Sequence, residues 1–330
     1  MVSRILAFRP ASVVERLGPR NDACPLSLRD LLGPAAGLPL TLPVVRAPIA
    51  GVARAALVAA KEARSALGLA LPPGVPPEPW FEAVTEAADE VAAGLPIFLS
   101  AEVAVEGEAA MQVERARHEA WRLLDAGVTH LAVDVGAVEV AERGRVLSEV
   151  AQGATERGIC VDCVVPLEPL QGSTTRRAVD LFEDLARRGV PPDVASVRCR
   201  APADVDEARG QVATLSRICS ALSGVPVMRR GPVIPDLLGL LAGSPVKACE
   251  DGGAAATCAI SLLPWEVLGV EVEERRRSRI EEAAAALSAE AADRLEARAY
   301  VEVSGFVERL GAAGSAPALI RALEDRLAER

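Results

Sequence analysis

At 330 residues, half of them apolar and a quarter charged, the chain is long enough for one large α/β domain with added terminal elements and has nothing of a disordered composition. A net charge of −10 speaks against general attraction to nucleic acid or to an anionic membrane surface, so any bound anion needs a local cationic cluster. Aromatic residues make up 3%, too few for a protein that stacks bases or aromatic ligands on many rings.

The N-terminal residues lack the basic, apolar and small-residue succession of a signal peptide, and no uninterrupted apolar run reaches membrane-spanning length. The seven cysteines, Cys24, Cys160, Cys163, Cys199, Cys219, Cys249 and Cys258, are an odd number set mostly in apolar runs, as buried thiols of a reducing compartment are. The expected location is therefore the cytoplasm.

Residues 1–40 form an extension punctuated by arginine and proline, expected to add a helix at the bottom of the main domain. From residue 41 to 264 one unit repeats. A short β-branched apolar run is followed by a loop, then by an amphipathic stretch rich in Ala, Leu, Glu and Arg that ends in glycine, which is the pattern of a βα unit. Eight strands are predicted, at 43–47, 68–71, 96–101, 130–135, 159–165, 194–199, 226–229 and 245–249. A helix over 108–126 presents Met111, Trp121, Leu123 and Leu124 as its buried face and stops at Gly127. Eight parallel strands without a G-x-G-x-x-G after the first favour a closed (β/α)8 TIM barrel over an open doubly wound sheet. Residues 265–330 read as two further helical stretches, 271–300 and 301–330, and the arginines of 275–279 among glutamates read as a solvated helix face.

In such a barrel the functional residues lie at the C-terminal ends of the strands. There the sequence places Arg46, Glu102, Asp134, Asp162, Arg198, Arg200, Arg229, Arg230, Lys247, Glu250 and Asp251, with Gly231, Gly252 and Gly253 in the turns. Acids gather on one half of the rim and bases on the other. Arg46, Arg198, Arg200, Arg229 and Arg230 could fork onto a phosphate or carboxylate, while Glu102, Asp134 or Asp162 moves a proton. Gly231, Asp251, Gly252 and Gly253 could cradle a phosphate on backbone N–H groups at a helix start, or simply make tight turns. The same charges could equally close the mouth as an ion-pair network.

These residues also carry a resemblance. Leu99-Ser100-Ala101-Glu102-Val103, the stretch Gly127–Asp134, Val225-Pro226-Val227-Met228-Arg229-Arg230-Gly231 with Ile234-Pro235-Asp236, and Val246-Lys247 resemble, in order, strands of the class II, metal-dependent ketose-bisphosphate aldolases. That family includes the non-catalytic subunit of tagatose-bisphosphate aldolase. The resemblance implies a TIM barrel, a sugar-phosphate ligand and a catalytic acid at Glu102. It also implies histidine metal ligands, and at two of their places this chain has Val103 and Arg230. Its two histidines, His118 in a helix and His130 at a strand start, are elsewhere, so no zinc site is expected; Glu102, Asp134 and Asp162 are the remaining route to a cation such as Mg2+.

Lys247, the one lysine in a predicted strand, could form a Schiff base, though the family carries a lysine there that is not a nucleophile. Cys160 and Cys163 in one strand point to opposite faces, which argues against a joint metal or disulfide role. The proline-dense stretch 72–79 is a rigid connection or a lid beside the rim. Three functions stay open. One is a non-catalytic or regulatory relative that binds a phosphorylated or other anionic ligand or a protein partner. A second is a metal-independent lyase, aldolase or isomerase. The third is a homo-oligomeric scaffold that uses its C-terminal helices.

Overall fold

The computed structural model describes residues 4–35, 37–166, 171–260 and 288–329. Nine strands, β1 (Cys24–Pro25), β2 (Leu42–Arg46), β3 (Leu67–Ala70), β4 (Pro96–Ala104), β5 (His130–Asp134), β6 (Cys160–Pro166), β7 (Val194–Arg198), β8 (Val227–Arg230) and β9 (Ala248–Glu250), form one parallel sheet. Strands β2 to β9 pair in sequence, and β2 pairs β9, so these eight close into a barrel. The two-residue β1 adds to the first residues of β4 at the barrel floor. The fold is a TIM barrel.

The helices are α1 (Ala11–Leu17), α2 (Leu28–Ala35), α3 (Ala50–Glu62), α4 (Pro77–Ala92), α5 (Ala110–Asp125), α6 (Arg143–Glu156), α7 (Gln171–Arg187), α8 (Val205–Ala221), α9 (Pro235–Ala242), α10 (Ala254–Ile260), α11 (Ala289–Arg309) and α12 (Ser315–Ala328). Several of the expected glycine stops are real: Gly94, Gly127, Gly158, Gly189 and Gly224 all adopt positive φ between a helix and the next strand. Pro77 opens α4, where its missing N–H costs no helical hydrogen bond, so 77–79 is a helix start and not loop. Met111 does not join the buried face of α5, being 85% exposed, while Leu123 and Leu124 are buried.

Apolar packing falls into two bodies. One is the ring between the sheet and the surrounding helices, and α11 packs in it against α3. The other fills the lower barrel with Val44, Phe98, Cys160, Val194, Met228 and Ala248, and continues downward into Ile5, Leu26 and Leu31 of the N-terminal segment and Leu319 and Leu323 of α12. Strand alternation divides the two cysteines as expected, Cys160 to the inner body and Cys163 to the outer one.

At the C-terminal end the break between helices lies at 310–314, ten residues beyond the expected one. The 264/265 boundary, the run 275–279 and much of the expected helix 271–300 lie outside the described residues. Among the described residues no helix is long and apolar enough to cross a membrane.

Candidate ligand site at the barrel mouth

Inside the barrel the apolar floor gives way to a buried polar layer. His130, at the start of β5, places Nδ1 2.9 Å from Ser100 Oγ and Nε2 3.2 Å from Asp162 Oδ2, the latter too oblique for a good hydrogen bond. Asp162 accepts hydrogen bonds from the Ser196 amide at 2.9 Å and from its hydroxyl. Burial works against both charged forms here. It pushes the His130 imidazole below its ordinary value although Asp162 pulls the other way. For Asp162 the neighbouring Arg230, with His130 and Ser196, outweighs burial and holds the carboxyl below the ordinary range.

Above this layer Arg230 spans the barrel. Its Nε donates to Ser196 Oγ, Nη1 to Glu250 Oε2 and Nη2 to Asp162 Oδ2, each at 2.9 Å. Burial opposes its charge, but Asp162, Glu250 and Glu102 more than restore it and raise its pKa above the ordinary arginine value. Arg198 donates through Nη2 to Glu102 Oε1 at 2.5 Å and to Asp134 Oδ2 at 2.9 Å, and Arg46 pairs with Glu250. Arg46, Arg198, Arg230, Glu102 and Glu250 line a cavity of about 380 Å³, walled by Leu71, residues 72–76 and Leu123.

Several expected site residues are elsewhere. Lys247 precedes β9 instead of lying within it, because that strand begins at Ala248. The lysine is therefore at the barrel floor, donating to Ala35 O and Leu38 O, where it reaches no ligand at the rim. Arg229 faces away from the mouth by strand alternation, is fully buried, and donates to Gly231 O and Pro232 O as a brace for the β8–α9 turn. Arg200 is exposed on a salt bridge with Glu207.

The expected phosphate cradle is filled from within. Asp251 accepts hydrogen bonds from the backbone N–H groups of Arg46, Gly253 and Ala255, so a carboxylate of the chain itself takes those donors. Gly231 and Gly252 serve close packing: a Cβ on the first would lie 2.1 Å from Cys199 O, and on the second 2.5 Å from Pro232 N. Gly253 has a positive φ of 88° in the same turn. His118 is on the solvated face of α5, beside Glu114 at 3.1 Å.

Ser196, Ser100 and Glu119 with Arg122 are parts of this site that did not stand out in the sequence, and His130, set aside there as a strand-start residue, belongs to its buried polar layer. Ser100 with Glu102, and Ser196 with Arg198, are polar pairs two residues apart in apolar strands, which was the available signal for one inward face.

Asp251 yields a pH test. Burial outweighs its three backbone N–H partners and pushes its carboxyl up from 3.8 to about 6. The folded form thus holds the proton more tightly than the unfolded chain, a contribution present below the unfolded value and lost as pH rises through about 6. Replacing Asp251 with asparagine is expected to remove this loss. The stability gap between wild type and variant, from urea midpoints, should change by about 2–3 kcal/mol between about pH 4 and pH 7. A constant gap would show that the carboxyl titrates normally.

No family model matches the chain, and no curated protein matches its sequence. Solved structures do. They include a protein assigned as a fructose-1,6-bisphosphate aldolase from Coccidioides immitis (16% identity, TM-score 0.59, covering 90% of this chain and 99% of that one). The YdjI aldolase from Escherichia coli K12 follows at 13% and 0.57, covering 88% and 98%. Fructose-bisphosphate aldolase from Campylobacter jejuni is 10% identical with a TM-score of 0.60, covering 88% and 97%. The chain has the aldolase fold.

Within that fold the residues present do not fit a zinc centre of the kind the resemblance implies. Val103 is buried in the outer core, and Arg230 extends a guanidinium into the carboxylates that a cation would need. Glu102 and Asp134 share Arg198, so the carboxylate route to Mg2+ is also taken up by a cation of the chain itself. Among the described residues no group of three or more His, Cys, Asp or Glu side chains is arranged to hold a metal ion.

Proposed function

We propose that this aldolase-fold chain does not carry out zinc-dependent aldol cleavage and uses the barrel mouth to bind a small polar ligand, as a non-catalytic or regulatory relative of the enzymes. The observation that carries the reading is Arg230. At 3% exposure its guanidinium supplies a fixed positive charge among Asp162, Glu250 and Glu102, and its donors occupy the oxygens that a divalent ion would require. A protein built this way retains a polar cavity but no Lewis acid held by histidines.

The test is to assay the purified protein for cleavage of fructose 1,6-bisphosphate and tagatose 1,6-bisphosphate with added zinc and with a chelator. No cleavage beyond background is expected in either condition, and zinc should leave the melting temperature unchanged. Chelator-sensitive cleavage would overturn the reading.

One observation favours a metal-independent enzyme as the second reading. Glu102 Oε2 is 3.8 Å from Arg230 Nη1, beyond hydrogen-bond reach, and it borders the cavity, so it could take a proton from a ligand. Under that reading Glu102→Gln would abolish turnover while ligand binding persists.

A further inference from the structure

Four arginines line the mouth cavity, and each already has a carboxylate: Arg46 on Glu250, Arg122 on Glu119, Arg198 on Glu102 and Asp134, and Arg230 on Asp162 and Glu250. Among the described residues five carboxylates therefore meet four guanidiniums, and the cluster has no positive surplus. A phosphate ester entering here would draw an arginine from its partner and leave a half-buried carboxylate uncompensated, which costs several-fold to many-fold in affinity.

Hydrogen-bonding capacity remains where charge does not. Glu102 Oε2 is an acceptor beyond reach of Arg230. Arg198 uses only Nη2 in its pairs and Arg46 only Nη2 in its pair with Glu250, so both part-exposed arginines keep further guanidinium N–H donors. A hydroxyl group donates and accepts at once. Adjacent hydroxyls can thus give to Glu102 and receive from an arginine without separating any ion pair, while Leu71 and Leu123 face the carbon skeleton. An ammonium ligand would meet the arginines instead.

On the reading that the mouth binds a small molecule, we propose that its ligand is a hydroxyl-rich compound of no net charge, a free sugar or polyol, and not a phosphate ester. The cavity of about 380 Å³ is at the small end of ligand pockets. An adjoining cavity of about 490 Å³ shares Glu102, Ala104, Glu119 and Arg122 with it, which leaves room for a longer chain to continue over α5.

Calorimetric titration of the full-length protein with ribose, glucose and sorbitol, and in parallel with ribose 5-phosphate, glucose 6-phosphate, sorbitol 6-phosphate and inorganic phosphate, tests this. Saturable binding of at least one neutral compound is expected, at least about tenfold tighter than its phosphate ester and changing less than about twofold between roughly 0.05 and 0.5 M salt. Ala104→Trp, at an exposed position bordering both cavities, should remove the binding, and Glu102→Gln should weaken it about tenfold or more. Tighter, salt-sensitive binding of an ester that Ala104→Trp abolishes would overturn the neutral-ligand assignment and leave the mouth as a ligand site. Binding of no probe, or binding that neither substitution alters, would overturn both.

Discussion

Replacing Arg230 with methionine is expected to destabilise the protein by about 3–5 kcal/mol, because it leaves the buried Asp162 without its arginine and the buried Glu250 with Arg46 alone. Asp162 and Glu250 are both fully buried, and Arg230 is the guanidinium they share. The side-chain volume is nearly kept, so the loss should come from charge and not from a cavity. Urea midpoints would measure it, and the double variant with Asp162→Asn should lose less than the sum of the two single changes. The variant also places three carboxylates, Asp162, Glu250 and Glu102, about one vacated cation position. Calcium, which accepts carboxylate oxygens in flexible geometry, should therefore raise the melting temperature of the variant while leaving wild type unchanged. A variant as stable as wild type, or one indifferent to calcium, would show that Arg230 does not stand in for a cation.

Gly231→Ala and Gly252→Ala should each cost at least about 3 kcal/mol, through the combined effect of a left-handed backbone and direct collision. Gly231 has φ 107° and Gly252 φ 63°. The added methyl would meet Cys199 O at 2.1 Å in the first case and the Gly231–Pro232 backbone at 2.5 to 2.6 Å in the second. None of those atoms is the end of a flexible side chain, so relief requires the β8–α9 turn to move away from Cys199 beyond β7 in the first case and from the β9–α10 turn in the second. Denaturant unfolding distinguishes this packing role from the phosphate cradle that the sequence also allowed. Variants that keep wild-type stability but lose inorganic phosphate binding would restore the cradle.

The barrel was legible because its determinants are local. Strand and helix periods and glycine at positive φ after helices all act within a few residues, and the eight strands emerged within a few residues of where they were expected. Errors at strand ends mattered more than their size suggests. Moving the last strand from 245–249 to Ala248–Glu250 carries Lys247 from the strand itself to the barrel floor. In the same way, a single step along β8 separates Arg230 in the mouth from Arg229 behind it.

Residue order determined that this chain forms a (β/α)8 barrel and placed most of the charged residues near its strand ends, with Lys247, Arg229 and Arg200 misassigned to the mouth. The resemblance to the class II aldolases, not composition or residue order, implied histidines where Val103 and Arg230 stand. Only the tertiary structure decided what those charges do, since each pairing joins strands tens of residues apart: Arg198 reaches Glu102 across 96 positions and Arg230 reaches Asp162 across 68. Whether an arginine waits for an anion or already holds a carboxylate depends on distances of an ångström between side chains from different strands. The local signals that specify strands and helices carry no information at that scale, because ion pairing is set by barrel closure and strand register, which exist only once the whole sheet has formed.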